Sequence, residues 1–173
     1  MRKTDSHELM RKPKERKPKS ADEALSSLMR LCSRAEKSSG DALRLMHKWQ
    51  VAVDRRQAVL ERLCAERFID DRRYAEAYVR EKSHLMGWGA RKIALQLRTK
   101  GIAQDIINEA LALIDGDAQR SRLREKLRRK LRTTKYSSSY ELRGKLMRYA
   151  LSLGFDYDVA IDAVDELVGE VVE

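Results

Sequence analysis

The sequence predicts an all-α protein: an elongated array of three tandem three-helix repeats behind a disordered basic N-terminal arm. Three observations carry that reading. Among the 173 residues, 21 Leu and 18 Ala outnumber the 20 Val, Ile and Thr that would suit a pleated sheet. Both prolines, Pro13 and Pro18, lie near the start, so no proline interrupts a helix from residue 19 onward. An apolar pattern also recurs at a period near 50 residues. An all-β sandwich or barrel, which needs turn residues and β-branched alternation, is excluded.

Residues 1–20 hold eight basic and three acidic side chains and too little apolar surface to bury, so they are expected to be disordered. With Lys12-Pro13-Lys14 and Lys17-Pro18-Lys19 they read either as an arm that touches polyphosphate or as a solubilising tail.

The first repeat spans 21–69. A helix over about 21–35 is followed by the linker Lys37-Ser38-Ser39-Gly40, with Ser39 or Asp41 as the next N-cap. Ala42, Met46, Val51, Val59 and Leu63 then fill the apolar places of two further helices. Gln50 stands where the other copies have glycine, so this turn is expected to end its helix without a left-handed residue.

The second repeat spans 70–116. Phe68 and Ile69 anchor its entry, Asp70 caps a helix over 71–86, and Asp71 sits at that helix's positive end. After Met86-Gly87-Trp88-Gly89 comes Ala90 to Ile114, in which Gly101 ends an apolar-periodic stretch. A residue past a helix end that takes positive φ costs least as glycine.

The third repeat spans 117–168, and 169–173 form an acidic tail. Its first helix, about 117–132, carries the stripe Leu123, Leu127, Leu131. Thr133 to Ser139 link it to the next helix, with Ser139 as N-cap. A shift of 53 residues then lays Gly101 on Gly154, Ile102 on Phe155, Ile106 on Val159, Ala110 on Ala163 and Ile114 on Leu167. A single unit cannot bury its apolar face alone, so neighbours must stack.

The net charge of +10 is unevenly spread: +5 over 1–20, +4 over 21–114, +8 over 115–148 and −7 over 156–173. Arg120, Arg124 and Arg128 flank the leucine stripe, with Glu125 as the main nearby carboxylate. Such a helix projects a positive field that attracts nucleic acid or an acidic protein surface. The acidic end from Asp156 either folds back on that helix or extends into solvent.

Catalytic constellations are missing from the sequence. Asp70-Asp71 reads as a helix cap, and no second acidic cluster lies near it. His7, His47 and His84 are far apart, and no HExxH or Cys/His ligand spacing occurs. Cys32 and Cys64 form no CxxC pair and read as reduced, packed thiols. Gly87-Trp88-Gly89 follows no strand and precedes no Lys-Ser/Thr, so it is not a nucleotide loop. The expectation is a non-enzymatic protein without metal or cofactor. No apolar run reaches the ~18 residues of a membrane span and no apolar signal region stands near the start, which predicts a soluble, cytoplasmic protein.

The string FIDDRRYAEAYV (Phe68 to Val79), then GWGARKIALQLRTKGI (Gly87 to Ile102), resembles the RecX family of recombinase regulators. So does Cys32-Ser33-Arg34 followed by a Ser-led helix ending near Trp49. The resemblance covers roughly residues 21–168. It implies a curved array that binds the RecA recombinase, lodges in the groove of its filament on single-stranded DNA, and restrains ATP hydrolysis, strand exchange and filament growth; several members also touch DNA. The free protein is expected to be a monomer.

Charge density, independently of the family, selects the contact candidates: Arg91, Lys92, Arg98 and Lys100 in the second repeat, and Lys126, Arg128, Arg129, Arg132, Arg143, Lys145 and Arg148 in the third. Their expected role is salt-sensitive contact with acidic recombinase surface or phosphate. The alternative is a module that binds nucleic acid directly, with Tyr136, Tyr140 and Tyr149 interleaved among cations. A helical adaptor for an unrelated acidic partner is a third reading.

Overall fold

The computed structural model describes residues 17–172, which form nine helices and no strand. They are α1 (Ala21–Cys32), α2 (Ser39–Lys48), α3 (Val53–Ala65), α4 (Asp71–His84), α5 (Ala90–Thr99), α6 (Gln104–Ala112), α7 (Gly116–Thr133), α8 (Ser139–Ser152) and α9 (Tyr157–Val172). Most of the basic arm, residues 1–16, lies outside the described residues.

The buried apolar residues fall into three separate cores. Leu28, Met46, Leu63 and Ile69 centre the first, among α1, α2 and α3. Val79, Ile93, Leu97 and Ile107 centre the second, among α4, α5 and α6. Leu123, Leu127, Leu146, Phe155 and Val164 centre the third, among α7, α8 and α9. No interior is shared, so the fold is the expected elongated all-α array of three-helix units.

The caps follow a local rule. Ser20 closes a capping box with Glu23, and Asp70 accepts a hydrogen bond from the Arg73 N–H at 3.0 Å. In the two serine runs the cap is one residue earlier than expected. Ser38 accepts from the Asp41 N–H at 3.1 Å and Ser138 from the Glu141 N–H at 3.2 Å. The hydroxyl must reach the third N–H of its helix, and each of these serines stands three residues before the acid whose N–H it meets.

The turn after each second helix does contain a left-handed residue, including the one where glycine is missing. Gly101 has φ 79°, Gly154 has φ 87°, and Gln50 has φ 56°. The turn therefore imposes the conformation in all three units. What glycine adds is room for the preceding unit. A Cβ on Gly101 would lie 3.0 Å from the Gly40 Cα, and one on Gly154 would overlap the backbone and Cβ of Lys92. Among the described residues no unit precedes the turn at Gln50; there the Lys19 N–H donates to the Trp49 carbonyl at 3.0 Å, and the Lys19 Nζ lies 4.0 Å from the Trp49 ring.

The units join through the second helices, which run end to end. At the α2–α5 joint, Ser38 Oγ donates to the Lys100 carbonyl at 2.8 Å and Arg44 donates to the Thr99 carbonyl at 2.8 Å. At the α5–α8 joint, the Gly89 N–H donates to the Leu153 carbonyl at 2.8 Å and the Arg91 N–H to the Gly154 carbonyl at 3.1 Å. Carbonyls orphaned at one helix C-terminus are thus taken up at the N-terminus of the next, aligning their dipoles head to tail. Asp71 strengthens the first joint by accepting from the Ser39 N–H at 2.8 Å and the Ser39 Oγ at 2.5 Å.

The acidic end folds back. α9 extends through residues 169–172, set apart in the sequence as a tail, and packs along α7. There Glu166 pairs with Arg124 at 2.7 Å and Glu170 with Arg128 at 3.1 Å. Two carboxylates distant in sequence therefore pair two arginines of a helix whose main nearby carboxylate in sequence is Glu125.

Candidate docking surface

The cations selected by charge density fall into three groups. Lys92, Lys100 and Lys126 belong to the joints. Lys92 Nζ donates to the Ser152 carbonyl at 3.2 Å and sits 4.5 Å from the Trp88 ring. Lys100 Nζ lies 3.3 Å from Asp41, and the Lys126 stem occupies the space where Gly87 would carry a Cβ. A second group is paired within the third unit. Arg128 meets Glu170, Arg129 meets Glu125, Arg143 meets Asp165 at 2.5 Å, and Lys145 meets Glu141 at 2.7 Å.

Arg91, Arg98, Arg132 and Arg148 form the third group. Arg91 is two-thirds exposed and only 4.0 Å from Asp156. Arg98 donates to the neutral Gln104 at 2.8 Å. Arg132 and Arg148 are exposed and have no ion pair among the described residues. The capping residues are also accounted for: Ile69 is buried, Phe68 packs beside it, and Asp70, Asp71, Gly101 and Gly154 shape helix starts and turns.

Two clefts gather three of these four arginines, Arg91, Arg98 and Arg148, with side chains that charge density alone did not single out. The larger, about 780 Å³, lies between α5, α6 and the end of α8; it is lined by Arg91, Lys92 and Arg98 together with Leu95, Leu111 and Leu151. No carboxylate lines it. The second, about 450 Å³, lies between the end of α7 and α8 and gathers Lys130, Lys135, Lys145 and Arg148 beside Tyr149. Leu95 and Leu151 were recoverable from sequence only as leucines on the polar side of their own helices' apolar stripe.

Local electrostatics fit a surface of fixed charges. Burial tends to raise the Asp41 pKa, but the hydrogen bonds and charges of Arg44 and Lys100 outweigh it and hold the carboxyl below its ordinary value. Hydrogen bonds from Lys145 and Ser137 bring Glu141 down to about 2. Partial burial pushes the Cys32 thiol up. Cys64 is exposed on α3 rather than packed as expected, yet desolvation and the nearby Asp71 and Asp70 charges raise it too, which leaves little nucleophilic thiolate. Among the described residues, no three His, Cys, Asp or Glu side chains come together as metal ligands, and no helix is long and apolar enough to cross a membrane.

Fold and surface together define a tandem three-helix repeat protein that presents cationic clefts along one chain of helices. Family profiles match it twice: residues 70–111 fit the second three-helix domain of RecX, and residues 117–164 fit the third. The chain belongs to the RecX family.

A regulatory protein RecX from Clostridium botulinum strain Alaska E43 is 36% identical over 102 residues, which cover 57% of this chain and 47% of the relative. A Mycobacterium strain KMS counterpart is 34% identical over 117 residues, covering 65% and 64% respectively. The chain thus spans about half the length of the clostridial relative it matches. The crystal structure of RecX from Lactobacillus salivarius superimposes with a TM-score of 0.72 at 24% identity, covering 85% of this chain and 96% of that one. A second RecX crystal structure gives 0.78 at 21% identity, covering 84% and 73%. At these identities the structural likeness speaks for the fold.

Proposed function

We propose that this protein is a cytoplasmic regulator of homologous recombination and DNA repair. It binds the RecA recombinase filament, lodges in its groove, and inhibits ATP hydrolysis, strand exchange and filament growth. The observation that carries this reading is the end-to-end chain of α2, α5 and α8, with the exposed arginines Arg91, Arg98 and Arg148 along it and Arg132 near the end of α7. A polymer offers the same surface again at each protomer, and an elongated array engages several at once, gaining avidity that one unit lacks. Lys92, Lys100 and Lys126 act in this reading by holding the joints that set the spacing of the contact residues. The test is recombinase ATPase with DNA in excess and this protein substoichiometric. Inhibition relieved by added recombinase, and untouched by added DNA, is the expected result; relief by DNA alone contradicts the reading.

A second reading, direct binding of nucleic acid, is favoured by one feature. Lys130, Lys135 and Arg148 surround Tyr149 without a carboxylate partner among the described residues. A steep fall of log affinity for bare single-stranded DNA with log salt supports it, and a slope near zero contradicts it.

A further inference from the structure

We infer that the outer face of α8 is a docking groove for an acidic amphipathic helix of the protein partner. This rests on the filament reading above and specifies the chemistry of the contact.

Tyr140, Gly144, Met147 and Leu151 recur at i, i+4, i+7 and i+11 and so form one stripe along α8. Met147 packs partly against the third core, but the rest of the stripe is open: Tyr140 is 87% exposed, Leu151 is 38% exposed, and Tyr157 beside it is 54% exposed. A cleft of about 430 Å³ runs along it, and Leu151 also lines the larger cleft that holds Leu95, so the two form one apolar path.

Gly144 has no internal reason to be glycine. An interior helical glycine is destabilising relative to alanine, yet a Cβ here would meet only Arg148 Nη1, at an ordinary 3.7 Å. Gly40 shows what smallness achieves at this place. Each glycine stands ten residues before its unit's left-handed residue, Gln50 or Gly154. At Gly40 the missing Cβ lets the Lys100 carbonyl of the next unit press against the helix. The third unit has no successor among the described residues, so the notch at Gly144 stands open to a backbone from outside.

Charge selects the occupant. Arg91, Arg98 and Arg148 border the path, and Glu141, the one carboxylate lining either cleft, is held by Lys145 at 2.7 Å and by the Ser137 N–H at 2.8 Å. A ligand with an apolar face and acidic flanks satisfies both features. The stripe spans ~16 Å, about three helical turns. Met147, Leu151 and Leu95 offer nothing to a phosphate backbone, which disfavours a nucleic-acid strand along the same path.

The test measures binding of the full chain to preformed, immobilised recombinase filaments on single-stranded DNA, comparing wild type with Leu151→Glu and Gly144→Leu. Each substitution is expected to weaken binding at least tenfold. Leucine has the higher helix propensity, so Gly144→Leu is expected to leave the unfolding midpoint at or above wild type, which separates lost docking from lost folding. Arg98→Gln with Arg148→Gln is expected to flatten the salt dependence. A photo-cross-linker at position 140 is expected to capture an Asp/Glu-rich helix of the recombinase. Wild-type binding that survives both stripe substitutions overturns the groove while leaving the filament reading intact. No wild-type binding overturns both. Capture of DNA, or of a basic segment, overturns the assigned occupant.

Discussion

Gln50 and Gly154 occupy equivalent turns with the same left-handed backbone but different neighbours, and substitutions should separate the two demands. Gln50→Gly removes only the cost of a side chain at φ 56° and is expected to raise stability by up to ~1 kcal/mol in chemical denaturation. Gly154→Ala adds the overlap with Lys92 to that cost and is expected to lose ~2–3 kcal/mol. If both changes move stability equally, the joint is not what requires glycine at 154. The turn glycines were legible from their register after an apolar stretch. Gln50 was not, because a residue type with a side chain gives no sign of positive φ. The aligned apolar residues on either side, Met46 and Val51, were the available clue. Asp71 was legible as a first-turn acid, whereas its grip on Ser39 across the joint depends on tertiary placement. A double-mutant cycle of Asp71→Asn with Ser39→Ala should return a coupling of ~1 kcal/mol or more; simple additivity would refute the contact.

The helix α9 shows how far charge counting reaches. The −7 balance of residues 156–173 was plain in the sequence, but its destination was not, since pairs such as Arg128–Glu170 lie 42 residues apart. These pairs are about half exposed, so Glu166→Gln with Glu170→Gln should cost no more than ~1–2 kcal/mol, read by thermal unfolding. The same variant should bind polyanions such as heparin more tightly, because Arg124 and Arg128 are released. Unchanged heparin affinity would mean that α9 does not mask them. Acid should act on the same region. Glu141 drops to about 2 through its bonds to Lys145 and Ser137, and Asp165 is lowered by its hydrogen bond to Arg143. Both carboxyls ionise more readily folded than unfolded, so the stability they lend is complete above the ordinary carboxylate value of 4.5 for Glu141 and fades as pH falls towards about 2. Unfolding titrations of wild type and Glu141→Gln should therefore converge in acid and diverge near neutrality. Parallel curves would contradict the assignment.

Among the described residues, the first and third units differ at the places where the middle unit meets a neighbour. At the first, Lys19 and Gln50 close the turn that other units offer to a neighbour. At the last, α8 runs 14 residues where α2 and α5 run 10, so an extra turn stands where a further unit would dock. Repetition and fold class were legible because apolar spacing and turn glycines are local. The joints were not, because they are made by backbone carbonyls and by lysines that sequence charge alone cannot tell from open contacts. That distinction bears on function: Lys92, Lys100 and Lys126 hold units together, while Arg91, Arg98, Arg132 and Arg148 face outward. The most direct measurement is co-sedimentation of the protein with preformed recombinase filaments, against bare single-stranded DNA at equal nucleotide concentration and rising salt. Retention on filaments at salt that strips it from bare DNA is expected. Equal release from both, or pelleting with DNA alone, would contradict a regulator that docks along the protein polymer.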